Sequence, residues 1–259
     1  MKKWASLILV TSILFSCKKD LAPLSGCTDY IAVNYNPDAI TEDGECIYFS
    51  TTPFIIETPY GFPDMNIPLN NLITVEGVTL GEKLFKDPIL SANNTQACIN
   101  CHNQASSFSD PNQFSVGIDN IAGERNASAL INLGWNTSFN WDGSATTLEK
   151  QAFEPVTNSI EMHNTWKNVE QVLNSHNEYP NLFMKAFNIQ YIDSNHVVMA
   201  LAQFERTLIS IDSKFDRFLI GEEQLTPSEL NGYAIFNSEK AVCFHCHGTQ
   251  MFMDNSFHN

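Results

Sequence analysis

Cys98-Ile99-Asn100-Cys101-His102, and again Cys243-Phe244-His245-Cys246-His247, are the two stretches that decide how this 259-residue chain folds. Both read C-x-x-C-H. On a helical turn, cysteines at i and i+3 share one face, so both thiols can form thioethers with the two vinyl groups of one haem. The histidine at i+4 then reaches the iron from the same side. Structural zinc on four cysteines is a rival, but Cys101 and Cys243 lie 142 positions apart, where ribbon-type sites use about 15–20 residues. A redox dithiol is another, and it gives no reason for a histidine after both pairs. Two covalently bound haems c are therefore expected, with His102 and His247 as the proximal iron ligands.

The rest of the chain reads as a globular, mainly α protein. Apolar residues make up 43% and charged residues 17%, with 18 Phe, which excludes a chain too polar to bury a core. The length suits one large or two small domains. Lys and Arg number 14 against 29 Asp and Glu, a net charge of -15. Such a surface repels a phosphate backbone, so nucleic acid is excluded as a partner and a basic protein suits. Thr79-x-x-Glu82 and Thr146-x-x-Glu149 read as capping boxes, and Thr226-Pro227-x-Glu229 adds proline at the first helical position. Asp193 or Ser194 caps a helix whose Val197, Leu201, Phe204 and Leu208 form one apolar stripe. Four prolines between Ser50 and Val78 mark residues 51–78 as an extended linker lying against the core. No sustained alternation of period two occurs.

At the N-terminus, Lys2 and Lys3 precede an apolar run from Trp4 to Phe15, too short to span a bilayer. Leu14-Phe15-Ser16-Cys17 resembles a bacterial lipobox. Residues 1–16 are then a signal peptide and Cys17 is the lipidated residue; a plain secretory signal with an incidental cysteine is the alternative. Cell-envelope location in a Gram-negative bacterium follows, periplasmic or at the outer membrane, with the lipid as the only membrane attachment. Within residues 17–50, Cys27 and Cys46 are expected to pair in this oxidising compartment. The stretch between them resembles a short repeat of secreted bacterial proteins. It is either a disulfide-stapled spacer or an acidic loop that holds calcium.

Several further stretches, in order, carry a resemblance to the bacterial di-haem cytochrome c peroxidase and MauG-like family. They include Leu80-Gly81-Glu82-Lys83-Leu84-Phe85, Gly123-Glu124-Arg125-Asn126, Trp141-Asp142-Gly143 and Glu149-Lys150-Gln151-Ala152. Asn158-Ser159-Ile160-Glu161-Met162, Phe204-Glu205-Arg206-Thr207 and Phe215-Asp216-Arg217 continue the series, and Phe257-His258-Asn259 ends it. The resemblance implies two cytochrome c-like haem domains, at 79–211 and 212–259. The haem on His102 would be peroxidatic, and the haem on His247 would accept electrons. Glu161 and Gln151 match the family's distal acid and amide, Trp141 its tryptophan between the haems, and Asn126 a calcium ligand. A buried carboxylate suits Glu161, because peroxide cleavage needs one group to take a proton from one oxygen and return it to the other. Gln151 can position the peroxide without titrating. Trp141 could equally be a core aromatic.

The chain departs from this pattern twice. The family's closed peroxidases carry a distal histidine sixteen residues after the proximal one, and that position is Ile118. The first haem is therefore expected to rest five-coordinate or water-bound, with His163 as the nearby rival ligand. The family also continues well past its second motif, so the second domain is expected to be incomplete and its distal ligand to lie beyond Asn259. Met251 and Met253 read as packing residues, and His176, His196, His245 and His258 as structural or exposed.

The function expected is peroxidase: reduction of hydrogen peroxide with electrons from a small reduced cytochrome or similar carrier, with a homodimer as one assembly open to it. A MauG-like oxidase acting on a partner protein is the runner-up, and a non-catalytic electron-transfer cytochrome the third reading. The haem reading predicts that mass spectrometry of chain made alongside cytochrome maturation machinery finds two covalent haems. Apoprotein alone would exclude it.

Overall fold

The computed structural model describes residues 23–30 and 32–256. The apolar N-terminal run with Cys17, and Phe257, His258 and Asn259, lie outside the described residues. Two compact units are present, one ending at Ile47 and one starting at Tyr48.

In the first unit, β1 (Ser25–Gly26) pairs in parallel with β2 (Thr41–Glu42), Ser25 opposite Thr41. Cys27 and Cys46 are disulfide-bonded, their Cα atoms 5.0 Å apart. The Glu42 carboxylate accepts from the Thr28 hydroxyl and amide, each at 2.7 Å, and from the Gly44 amide at 3.0 Å. These bonds, the Thr28 hydroxyl's first, hold its pKa down to about 2. Asp43 caps the Glu45 amide in the same way. The acidic side chains of this loop thus close it by binding their own backbone.

The second unit is helical. Helix α1 (Val75–Lys86) starts at Thr74, whose side chain accepts from the Gly77 amide at 3.0 Å. The cap expected at Thr79 lies inside the helix instead, where its hydroxyl donates back to the Val75 carbonyl at 2.7 Å. The helix therefore opens inside the stretch read as linker. The C-x-x-C turn is α2 (Cys98–Cys101). Helix α3 (Leu148–Thr157) is capped by Thr147 rather than Thr146. Then follow α4 (Trp166–Ser175), α5 (Tyr179–Phe187) and α6 (Ser194–Arg206), the last capped by Asp193. Helices α7 (Lys214–Leu219), α8 (Pro227–Phe236) and α9 (Phe244–His247) complete the described residues. Thr226 and Glu229 form the reciprocal box at the start of α8.

Helix α6 is the central element. Its Val197, Leu201 and Phe204 pack with Leu80, Leu84 and Phe85 of α1, all buried. The proline-containing segment lies against this pair. Ile73 is buried, Asn71 donates to Glu149 Oε1 at 2.7 Å and accepts from Gln203 at 2.8 Å, and the Trp135 indole donates to the Pro63 carbonyl at 2.7 Å. Around α7 to α9 the packing is looser. Phe215, Phe218, Tyr233, Phe236 and Phe252 form an aromatic cluster, yet no α8 residue is buried. Met251 and Met253 are half-buried. His176 stacks on Tyr179, His196 pairs with Asp193, and His245 reaches Glu239 at 3.3 Å.

The α1–α6 crossing depends on Gly81, where an added Cβ would stand 2.0 Å from the Ala200 carbonyl oxygen. Gly81→Ala should therefore cost about 1–3 kcal/mol through forced backbone separation. Gly232, on exposed α8 with open space around it, should gain about 0.5–1 kcal/mol on replacement by alanine. Denaturant unfolding of the two variants checks both signs.

Candidate active site

Asn100 fixes the start of the first C-x-x-C turn by accepting the Ala97 amide at 2.7 Å. His102 closes the turn, and its Nδ1 stands 3.1 Å from the carbonyl oxygens of both Phe108 and Ser128. A carbonyl can only accept, so Nδ1 carries the proton and Nε2 keeps its lone pair. Reaching that geometry strains the loop. Ser107 and Phe108 adopt φ of 58° and 55°, a conformation uncommon for any residue with a side chain and rare for a bulky one. The second motif repeats the device. His247 Nδ1 lies 2.6 Å from the carbonyl of Phe252, itself at φ 54°. In each motif the carbonyl of a left-handed phenylalanine accepts the Nδ1–H hydrogen bond and leaves Nε2 free to bind a metal.

Cys98, Cys101 and His102 border a cavity of about 620 Å³, a size proper to a cofactor site. Its wall also includes Asn126, Trp141, Gln151 and Glu161, the residues the resemblance singles out, together with Glu205. The thiols of Cys98 and Cys101 are not disulfide-bonded. Burial, with the Glu205 charge second, pushes the Cys98 thiol up to about 12. Two unbonded thiols, one imidazole with Nε2 available and an adjoining cavity fit a covalent haem. The second motif has the same donors, but its His247 is exposed and does not border this cavity.

Glu161 sits on the turn after α3. Asn158 donates to its Oε1 at 2.6 Å, and its carbonyl accepts the Ile118 amide at 3.0 Å. At Gly117 a Cβ would stand 2.1 Å from the Ile160 carbonyl oxygen, so the two loops are pressed together. His163, the rival ligand, pairs instead with Asp119 across the same junction, half-exposed. Burial raises the Glu161 pKa above the ordinary 4.5; the Asn158 bond opposes this and the Glu154 charge adds to it. Burial likewise lowers that of His102. Gln151 borders the cavity from α3. Trp141 is no core aromatic: it is 59% exposed, and its indole donates to the Asn126 carbonyl at 2.8 Å. The Asn126 amide nitrogen meets the carbonyls of Asp110, Asn112 and Gln113 at 3.2, 2.7 and 3.4 Å.

Two features carry no assigned role in the sequence reading. One is the Phe108 and Ser128 carbonyls, which no side-chain pattern encodes. The other is Glu205, which falls at +4 from Leu201 and +8 from Val197, on the apolar face of α6. An acid placed on a buried stripe was the available signal.

Residues 75–224 match the family model described as di-haem cytochrome c peroxidase. The methylamine utilization protein MauG of Methylophilus methylotrophus is 37% identical over 194 residues, 74% of this chain and 58% of that protein. The cytochrome c peroxidase Ccp of Escherichia coli is 34% identical over 197 residues, 75% of this chain and 42% of that one. Among solved structures, a MauG-like protein associated with microbial copper homeostasis superimposes with a TM-score of 0.74 at 30% identity, over 79% of this chain and 61% of that one. The chain thus spans about half the length of the curated relatives it matches. With two C-x-x-C-H turns, each orienting its histidine alike, and a family match across more than half its length, this chain belongs to the di-haem cytochrome c peroxidase family.

Proposed function

We propose that this protein reduces hydrogen peroxide to water with electrons from a small reduced cytochrome or similar carrier. The observation that carries the reading is the half-buried Glu161 carboxyl on the cavity that His102 borders, with Ile118 on the loop bonded to it. The reaction consumes two electrons and two protons per peroxide and yields two waters. A haem held by Cys98, Cys101 and His102 supplies the redox-active iron at which the oxygen–oxygen bond is cut. His102 would hold that iron through Nε2, and its Nδ1–H bonds to the Phe108 and Ser128 carbonyls fix the ring plane and would strengthen the ligand. Glu161 takes a proton from one peroxide oxygen and returns it to the departing one; its raised pKa brings it nearer the working pH. Gln151 hydrogen-bonds and orients the peroxide. Trp141 offers an aromatic route for electrons from the centre that Cys243, Cys246 and His247 would hold. The family resemblance implies calcium as a second cofactor with Asn126 as a ligand, a role open to its Oδ1, since its Nδ2 donates to the carbonyls of Asp110, Asn112 and Gln113. Residues 1–17 support export and lipidation at Cys17, and Cys17→Ala should then release the protein from the membrane fraction.

The similarity to MauG proteins favours a second reading, an oxidase that draws electrons from a partner protein's side chains. Peroxide turnover with reduced cytochrome supports the first reading, and peroxide-dependent oxidation of a protein substrate without it supports the second.

In Glu161→Gln, peroxide turnover should fall about 10²–10⁴-fold at unchanged haem content. The acid limb of the wild-type kcat/KM profile should lie above pH 4.5, because the base must be ionised and its pKa is raised. That limb should be absent in the variant. Unchanged turnover removes the acid–base role. The resting ferric protein should lack a bis-histidine low-spin EPR signal from the His102 haem, and finding one would overturn the open-site reading.

A further inference from the structure

One carboxyl on the cavity wall has no part in the steps above. Glu205, near the end of α6, is 5% exposed, and its Oε2 is shut off from solvent with no hydrogen-bond partner. A carboxylate buried without partners is costly, so a group in this position keeps its proton unless a nearby charge replaces it. The Arg206 charge beside it offsets that cost only in part, because the guanidinium is turned toward Glu149 of α3, with Nη1 to Oε1 at 2.8 Å. Cys98 of α2 feels the charge of Glu205, which places the carboxyl near the thiol where the porphyrin would be attached.

We propose that Glu205 is the redox-linked proton site of the His102 haem. Glu205 takes one proton from water as that iron gains one electron from an external reductant, and it releases the proton when the electron leaves. No other bond forms or breaks. This rests on the haem reading of the cavity.

Reduction removes one positive charge from the iron, which strengthens the hold of any nearby acid on its proton. Burial pushes Glu205 up to about 8, with the Arg206 charge pulling down and the Glu149 charge pushing up. A modest change of field at neutral to mildly alkaline pH is therefore enough to move the proton. Glu161 and Glu154 border the same cavity, and Glu161 also feels burial. Glu161 keeps the Asn158 hydrogen bond, whereas Glu205 has no such partner. The Cys98 thiol drops out of the titration once it is a thioether.

Redox titration of the haem-loaded chain, followed optically from about pH 6 to about pH 10, tests this. In the wild type the reduction equilibrium of the His102 haem should become less favourable as pH rises, by up to about tenfold per pH unit for one proton per electron. Glu205→Gln should flatten that slope, Glu161→Gln should leave it, and the haem on His247 should not respond to either. A flat wild-type profile, or a slope retained in Glu205→Gln, overturns the proposal while leaving the haem reading intact. Uptake of no covalent haem overturns both. If Glu205→Gln fails to load haem, redox-difference infrared spectra of the wild type decide. A protonated-carboxyl band that comes and goes with the electron and persists in Glu161→Gln supports Glu205, and its absence overturns the assignment.

Discussion

Everything around the cavity turns on one shared hydrogen bond, the donation from His102 Nδ1 to backbone carbonyl oxygen. It selects the tautomer with a free Nε2, holds the ring plane and forbids rotation, and it does so with groups that cannot themselves donate. Two consecutive left-handed residues are accepted to place the Phe108 carbonyl there. Strain of that kind persists only where the surroundings over-determine it. Phe108 is held from both sides: its amide donates to the Asn103 carbonyl at 2.8 Å, and its carbonyl also accepts the Leu130 amide at 3.2 Å. The ligand geometry is therefore built into the backbone. The same device around His247, on Phe252, means that both turns were selected for the same task rather than one being a chance match.

The sequence made the ligands legible because thioether chemistry demands fixed spacing, and fixed spacing survives in one dimension. The helix caps at Asp193 and Thr226 were legible for a similar reason: a side-chain acceptor and its donor lie three residues apart. Thr79 misled because a threonine three residues before a glutamate has two uses. Inside a helix its hydroxyl can return to the carbonyl four residues back, and only the tertiary placement of Thr74 against Gln203 settles which threonine caps. Cavity membership was less legible. Gln151, Glu161 and Glu205 come from three separate segments, and nothing local says that they meet; family resemblance supplied the first two, and the third went without a role.

The polar seam beneath the cavity explains why these segments meet as they do. Arg206 binds Glu149, Glu149 binds Asn71, Asn71 binds Gln203, and Gln203 accepts the Thr74 amide that opens α1. One chain of bonds thus ties α6, α3, the segment before α1 and the first turn of α1. Burial alone would raise the Glu149 pKa; the Arg206 hydrogen bond and charge outweigh it, and the net shift is downward, so this carboxylate stays ionised. Breaking such a pair by removing one partner leaves a buried charge uncompensated, the expensive case.

Three acids in one neighbourhood are thereby given three states by their partners. Glu149 has a guanidinium and remains an anion. Glu161 has one amide donor and partial burial, which leaves it able to gain or lose a proton. Glu205 is shut in with no donor on Oε2, so its neutral form is favoured until something adds positive charge or raises pH. Side-chain chemistry is identical in all three; the difference lies in how many donors the fold has aimed at each. That the two acids without a cation are the ones on the cavity wall follows from the same economy of donors. Arg206 can satisfy only the carboxylate it faces, and the seam has already turned it away from the cavity.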